Sequence, residues 1–374
     1  MGLLLKGGEV LDPGAGLAGA LDVRLRDGRV AEVGAALAPD GDRVEDVRGR
    51  LVVPGLIDLH AHCFLGAVDF GPRTDEVMAR AGVTTMVDGG SAGAALVEGM
   101  RRWVVERARV RILAFLHISA IGLAWMRIGE VHHLAYADVD AAVGAAREHA
   151  DLVVGIKVRQ EAVVVGEAGL EPLRRAVRAA EAVGTRVMVH VTTPPVPLAD
   201  LLALLRPGDV VTHFLHGRGD GILDAHGQVK KEVWAARERG IVLDVGHGRR
   251  HLNFDVARAA FRQGLAPDTI SSDLNTPAAA GVAKDLPTTM AKFLGLGMPL
   301  PDVVRAVTAA PAAVLGRAGE LGTLRPGAAG DVTVLDHERG AFDLEDNDGQ
   351  RLAGRERLVP ALTVKDGEVW WRRP

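Results

Sequence analysis

The chain carries one cysteine in 374 residues, Cys63, so no intramolecular disulfide can form and the composition fits a reducing compartment. It also lacks a basic excess. Lys and Arg number 44 against 48 Asp and Glu, a net charge of −4, which leaves nothing to neutralise a phosphate backbone and argues against a nucleic-acid partner. No apolar run approaches the ~20 residues of a membrane helix, and MGLLLKGGEV has neither the basic start nor the long apolar stretch of a secretory signal. The expectation is a cytoplasmic protein acting on a small molecule, with no membrane partner and with a homo-oligomer left open. No Gly-x-Gly-x-x-Gly phosphate loop follows an apolar run in residues 55–324 either, which disfavours a nucleotide-binding open sheet. Lysine is scarce: seven lysines leave 44 − 7 = 37 arginines. A lysine inside an apolar stretch is therefore conspicuous.

What is present is an ordinary globular composition, 48% hydrophobic and 25% charged, in a length suited to one large domain and a smaller one. The first ~54 residues read as short strands around Asp-Pro-Gly and Asp-Gly turns, with RLRDGRV a two-residue hairpin. GDVTVLD from Gly330 and ALTVKDGEVWWRRP from Ala361 have the same texture. Neither end is long enough for a stable sheet alone, so residues 1–54 and 325–374 are expected to combine into one small β-sandwich.

Residues 55–324 follow another rhythm. Apolar, β-branched runs begin near Val53, Val83, Val110, Leu152, Arg186, Val210, Ile241 and Asp268, about 31 residues apart on average. Helical segments such as AALVEGMRRWVVERA, GLEPLRRAVRAAEAVG and DVARAAFRQG fill the gaps, and Gly184 and Gly264 close the last two. Runs apolar on both faces are the mark of parallel strands covered on both sides. Eight such units predict an α/β protein of the (β/α)8 TIM-barrel class.

The ligand-type residues fall at the ends of these runs. In LVVPGLIDLHAH, His60 and His62 are two apart and so share one strand face. Lys157 lies in DLVVGIKVRQ, where an isolated buried ammonium would be very costly and must be neutralised, paired or modified. His190 ends TRVMVH, His213 ends DVVTH and Asp273 sits in TISSDLNT. His216 follows in HFLHG and competes with His213, which the strand-end position favours. Cys63, beside the histidine pair, has no evident histidine partner and is not expected to be a nucleophile. The C-terminal rim is where barrel enzymes place their chemistry. The ordered set His-x-His, Lys, His, His, Asp there points to a two-metal hydrolase.

Nearly the whole chain resembles the amidohydrolase superfamily. The resemblance is carried by LIDLHAH, GIKVR, MVHVTTPP, VVTHFLHG, ISSDLNT and the returning tail GTLRPGAAGDVTVLD. VLDVGHG, APDTISSDLNT and DLPTTMAKFLGLGMPL are similar to stretches of the dihydroorotase-related deacetylase branch. The resemblance implies two divalent metal ions, zinc by default for such ligands. His60, His62 and Asp273 would hold the first, and His190 and His213 the second. Lys157 would bridge them as a CO2-derived carbamate.

Two cations sharing a water lower its pKa and polarise a carbonyl, and Asp273 is placed to act as both ligand and general base. The reaction expected is hydrolysis of an amide or ester, with the subgroup pointing to deacetylation of a small acylated carboxylate. A cyclic-amide hydrolase uses the same site and is the alternative. A purine deaminase with one metal would have no use for Lys157, and a metal-free structural homologue would have lost ligands. Arg159, two residues past Lys157 and so about 7 Å along the strand, is offered as the partner of the substrate carboxylate. His117 and His247 are further candidate substrate contacts. His132, His133 and Trp125 lie in nearby loops.

Overall fold

The computed structural model describes residues 2–68 and 70–374. Fifteen strands form two sheets. The first strands are β1 (Leu3–Asp12), β2 (Leu17–Arg26), β3 (Arg29–Gly34), β4 (Arg43–Asp46) and β5 (Leu51–Pro54). The barrel strands are β6 (Leu56–Ala61), β7 (Val83–Asp88), β8 (Arg111–His117), β9 (Val153–Arg159), β10 (Arg186–His190), β11 (Val210–Thr212) and β12 (Val242–Asp244). The chain returns through β13 (Val332–Glu345), β14 (Arg351–Lys365) and β15 (Glu368–Arg372).

Strands β6 to β12 are hydrogen-bonded in sequence order and every pair is parallel. Single parallel bridges from Thr269 to Asp244 and from Leu274 to Ala61 curl this sheet round to its own first strand. The expected eighth strand is thus a bridging segment and not a regular strand. Side chains replace its missing ladder. The Ser272 N–H donates to Asp58 at 2.9 Å, the Gly246 N–H to the Ser271 hydroxyl at 3.0 Å, and the Thr269 and Ser271 hydroxyls to Asp244, each at 2.7 Å. Buried backbone groups need partners, so polar side chains at this seam are a requirement of closure. Helices Glu171–Ala182 and Phe254–Arg262 lie where the apolar periodicity places them. In the barrel interior Ile57, Leu59, Val87, Leu113, Phe115 and Met188 form an apolar layer closed off by Ala312, Leu315 and Leu321.

The run beginning near Val53 divides at Gly55. Leu51–Pro54 pairs with β1 and β13, while Leu56–Ala61 starts the barrel. A Cβ at Gly55 would lie 2.2 Å from the Thr84 hydroxyl oxygen, so only glycine fits this crossing. The two ends of the chain do share a sheet, of order β15-β14-β13-β5-β1-β2-β3 with β4 on β1. Its Asp-Gly turns stand as expected: Asp27 and Gly28 have φ of 51° and 73°, Asp366 and Gly367 51° and 80°. Asp12 ties the segments together by accepting N–H groups from Gly14 and Leu324 at 2.8 and 2.6 Å. Unexpected from the sequence is the length of the β13–β14 hairpin, whose tip reaches the loop after β12. Among the described residues no helix is long and apolar enough to cross a membrane.

Candidate metal centre

The loops beyond the C-terminal ends of the barrel strands enclose a cavity of about 240 Å³. All six sequence-predicted ligands, His60, His62, Lys157, His190, His213 and Asp273, line it. Two groups of donor atoms converge, each within 4.8 Å of one another: His60, His62 and Asp273 in one, His190, His213 and His251 in the other. Lys157 stands beside the first group, its Nζ 3.0 Å from His60 Nε2. The imidazoles of His60 and His213 have centroids 5.0 Å apart, so the two groups form one centre.

His60, His62, His190 and His213 each have one ring nitrogen engaged by a neighbouring group. His60 Nδ1 lies 3.0 Å from the Thr212 hydroxyl, itself bonded to Asp244 at 2.8 Å. His62 Nδ1 is 2.9 Å from the Ser91 hydroxyl, and His213 Nδ1 is 2.7 Å from the Gly246 carbonyl, to which it donates. His190 Nε2 is 3.3 Å from Glu161, which the Thr192 hydroxyl also approaches. Partners of this kind fix tautomer and ring orientation and leave the other nitrogen facing the cavity. Among the described residues the buried His213 Nε2 has no hydrogen-bond partner, and neither has His251 Nδ1, which lies 3.2 Å from Asp273 Oδ2. Orphaned buried imidazole nitrogens beside a carboxylate are costly unless a cation takes their lone pairs. The donor set fits divalent metals of the zinc type.

The backbone is strained at the same place. Among the described residues seven non-glycine positions have positive φ, and of these His213 (73°) and Asp273 (47°) alone are buried. Left-handed geometry costs ~1–2 kcal/mol per residue and persists where the surroundings enforce it. Glycines press against the ligands: a Cβ on Gly89 would lie 2.2 Å from the His60 ring, and one on Gly248 2.2 Å from Asp273 Oδ2.

Burial and the neighbouring lysine hold His60 well below its ordinary value. Burial would raise Asp273, but His60, His251 and His62 outweigh it and keep the carboxylate ionised. Burial lowers the Lys157 amine to about 8. Its nearest polar neighbours are His60 and the Met188 sulfur at 3.6 Å, and among the described residues no carboxylate lies within ion-pair distance.

Other sequence candidates fare differently. His216 is buried away from the cavity, its Nδ1 accepting from the Arg218 N–H at 3.0 Å, so His213 is the residue at the centre. His117 is fully buried, receives the Ser119 N–H at 3.0 Å, and does not line the cavity. His247 is buried against the Lys292 amine at 2.6 Å and is likewise outside it. His132, His133 and Trp125 are also absent from the lining, where Met126 and Leu123 stand instead. Arg159 does line the cavity, but Glu130 at 3.2 Å and Glu161 at 2.6 Å hold it. The Cys63 thiol is pushed well above its ordinary value by burial and Asp88, which disfavours a nucleophile. Sequence reasoning missed His251 and Glu161, both on loops. For His251 the only signal was its place in the HGRRH stretch after a barrel strand.

A parallel barrel with a His-His-Asp group and a three-histidine group at its C-terminal rim is an architecture that fits a hydrolase working through metal ions. The chain belongs to the amidohydrolase family, whose model matches residues 51–369. It is 39% identical to a deacetylase of Agrobacterium fabrum over 92% of this chain and 84% of that protein. A crystal structure titled a dihydroorotase superposes with a TM-score of 0.90 at 34% identity, covering 98% of this chain and 97% of that one. A crystal structure titled an adenine deaminase superposes at 0.93 with 30% identity over all of both chains.

Proposed function

We propose that the protein is a binuclear metal-dependent deacetylase acting on small acylated carboxylates. One observation carries the two-metal reading: the buried Lys157, with no carboxylate within ion-pair distance among the described residues, stands beside the first donor group, its amine 3.0 Å from His60. His60, His62 and Asp273 would hold one zinc ion, His190 and His213 the other, and Lys157 would join both as a carbamate. Carboxylation needs a neutral amine, and burial favours it. When bound, such ions acidify a water molecule and polarise an acyl oxygen.

Asp273 takes the proton from the attacking water as its oxygen bonds to the acyl carbon. It returns that proton to the departing alcohol or amine oxygen or nitrogen as the acyl bond breaks. Acetate and the free hydroxy or amino acid leave. Burial holds the His60, His190 and His213 imidazoles below their ordinary value, which keeps their nitrogens available as donors of lone pairs, and Phe70, Leu123, Met126 and Pro277 add apolar surface to the cavity lining.

The named relatives divide between deacetylation, cyclic-amide opening and deamination. Lys157 favours the first two, because a single-metal deaminase would leave it without a role. Cyclic-amide hydrolysis is the second reading, supported by the likeness to the structure titled a dihydroorotase. We assign residues 55–324 to the hydrolase barrel. Residues 1–54 and 325–374 form a small domain closed as a sandwich, supported by its own core of Leu5, Val10, Val23, Val52, Val334 and Leu362. The free thiol of Cys63 supports a cytoplasmic location.

The test is metal analysis after reconstitution with zinc, with and without bicarbonate, joined to a screen of N- and O-acetylated hydroxy and amino acids, cyclic amides and adenine. Two ions per chain only with bicarbonate, and turnover confined to the acetylated acids, are expected. One ion in both conditions defeats the bridging role, and turnover of adenine or of cyclic amides alone defeats the deacetylase reading.

A further inference from the structure

We propose that Arg249 and Arg250, in the loop after β12, bind the anionic group of the substrate, and that Arg159 does not. The proposal deepens the acylated-carboxylate reading above and rests on it. Arg159 is the obvious candidate by position, but its charge is already spent. Its two terminal nitrogens face Glu130 and Glu161 at 3.2 and 2.6 Å, so one cation is set between two carboxylates. Glu130 is wholly buried. Freeing Arg159 for a substrate would strand a buried anion, a cost no exposed ligand contact offsets. The trio carries a net negative charge and repels a third carboxylate rather than receiving it.

Arg249 and Arg250 differ in each respect. Both line the same cavity and both are exposed at its mouth. Among the described residues neither has a carboxylate within ion-pair distance. They directly precede His251, whose ring centroid is 3.8 Å from that of His213 and whose Nδ1 is 3.2 Å from Asp273. A guanidinium at this position sits one side chain away from the centre, a span suited to a carboxylate on the carbon bearing an acyloxy or acylamino group.

The loop is also built not to drift. Gly246 and Gly248 hold φ of 50° and 47°. Asn347, from the β13–β14 tip, accepts the N–H groups of His251 and Leu252, each at 3.0 Å, and donates to the Gly248 carbonyl at 3.2 Å. Unpaired guanidinium forks on a fixed backbone are what bidentate carboxylate recognition needs. Arg159 is instead a positioning residue, holding Glu161 where it faces His190.

The experiment uses zinc-loaded protein and two substrates, O-acetyl-lactate and its methyl ester, with Arg249→Met, Arg250→Met, the double variant and Arg159→Met. A charge-assisted hydrogen bond corresponds to about a 10- to 100-fold change. The ratio of kcat/KM for the anion to that for the ester is expected to fall by that factor in the double variant. It should stay at the wild-type value in Arg174→Met, a charge-matched change on an outer helix. Arg159→Met should lower both rates together and weaken zinc retention. A ratio unchanged in the double variant, or one that falls as far in Arg159→Met, overturns the proposal. Lactate binding to the zinc-loaded proteins, followed by calorimetry, separates the two levels of inference. If neither ester is hydrolysed by the wild type, the deacetylase reading fails. The arginine assignment then stands if the double variant loses lactate binding, and falls if it does not.

Discussion

Replacing Gly89 by alanine tests whether the ligand geometry is as tightly enforced as the packing implies. The new Cβ would sit 2.2 Å from His60 Cδ2 and 2.4 Å from Nε2, where ordinary contact begins at 3.4 Å. One of the two must move by at least 3.4 − 2.2 = 1.2 Å. Gly89 is fixed by its N–H bond to the Ala61 carbonyl at 2.8 Å, and His60 is held by Thr212 on one nitrogen and Lys157 on the other. Metal sites tolerate about 0.2 Å in ligand distance. A shift six times larger removes His60 from the first site, and the expected loss of zinc affinity exceeds the ~10- to 100-fold typical of disturbing an outer partner. Overpacking should also cost about 1–3 kcal/mol of apoprotein stability. Calorimetric zinc titration and urea unfolding read the two effects separately. Wild-type affinity at both sites in Gly89→Ala would refute the placement of His60 as a ligand.

Other outcomes follow from the same structure. Asp273→Asn should keep the fold and reduce kcat by ~10²–10⁴-fold or more on a confirmed substrate; an unchanged rate would remove Asp273 from proton transfer. Glu161→Gln should loosen His190 and weaken zinc binding by about 10- to 100-fold, measured by titration, with circular dichroism unchanged. Burial depresses the Lys292 amine from its ordinary 10.5 to about 7, so the folded state binds fewer protons than the unfolded one between those values and stability rises with pH across that window. Urea unfolding of metal-free protein should show about 2 kcal/mol more stabilisation from pH 7 to 9 in the wild type than in Lys292→Met. Parallel slopes would mean that Lys292 ionises normally. Gly144→Ala, in the exposed middle of helix Val139–Glu148 with nothing near its Cβ, should raise stability by about 0.5–1 kcal/mol in the same assay.

The parts of the centre visible in the sequence are those that obey a strand's two-residue period or offend its apolar pattern. His60 and His62 are legible because alternate residues share a face, and Lys157 because an ammonium has no business in a buried strand. His251 follows no period: it lies on a loop whose path is set by two left-handed glycines and by Asn347, 96 residues later. The pairing of Arg159 is hidden for a related reason, since Glu130, the carboxylate bonded to it, is 29 residues away in another loop. The eighth strand was expected from its apolar texture, but TISSDLNT spends its serines on Asp58 and Asp244, and such side-chain bonds leave no pattern in hydropathy.

The β13–β14 tip that holds the loop after β12 has a consequence for the order in which the protein is made. The ring of barrel strands is complete at Leu274, yet Asp346, Asn347 and Asp348, which accept from Phe254, His251, Leu252 and Asn253, are translated some seventy residues later. Until that hairpin is in place, the N–H groups of His251 and Leu252 lack the acceptor that fixes them in the finished fold.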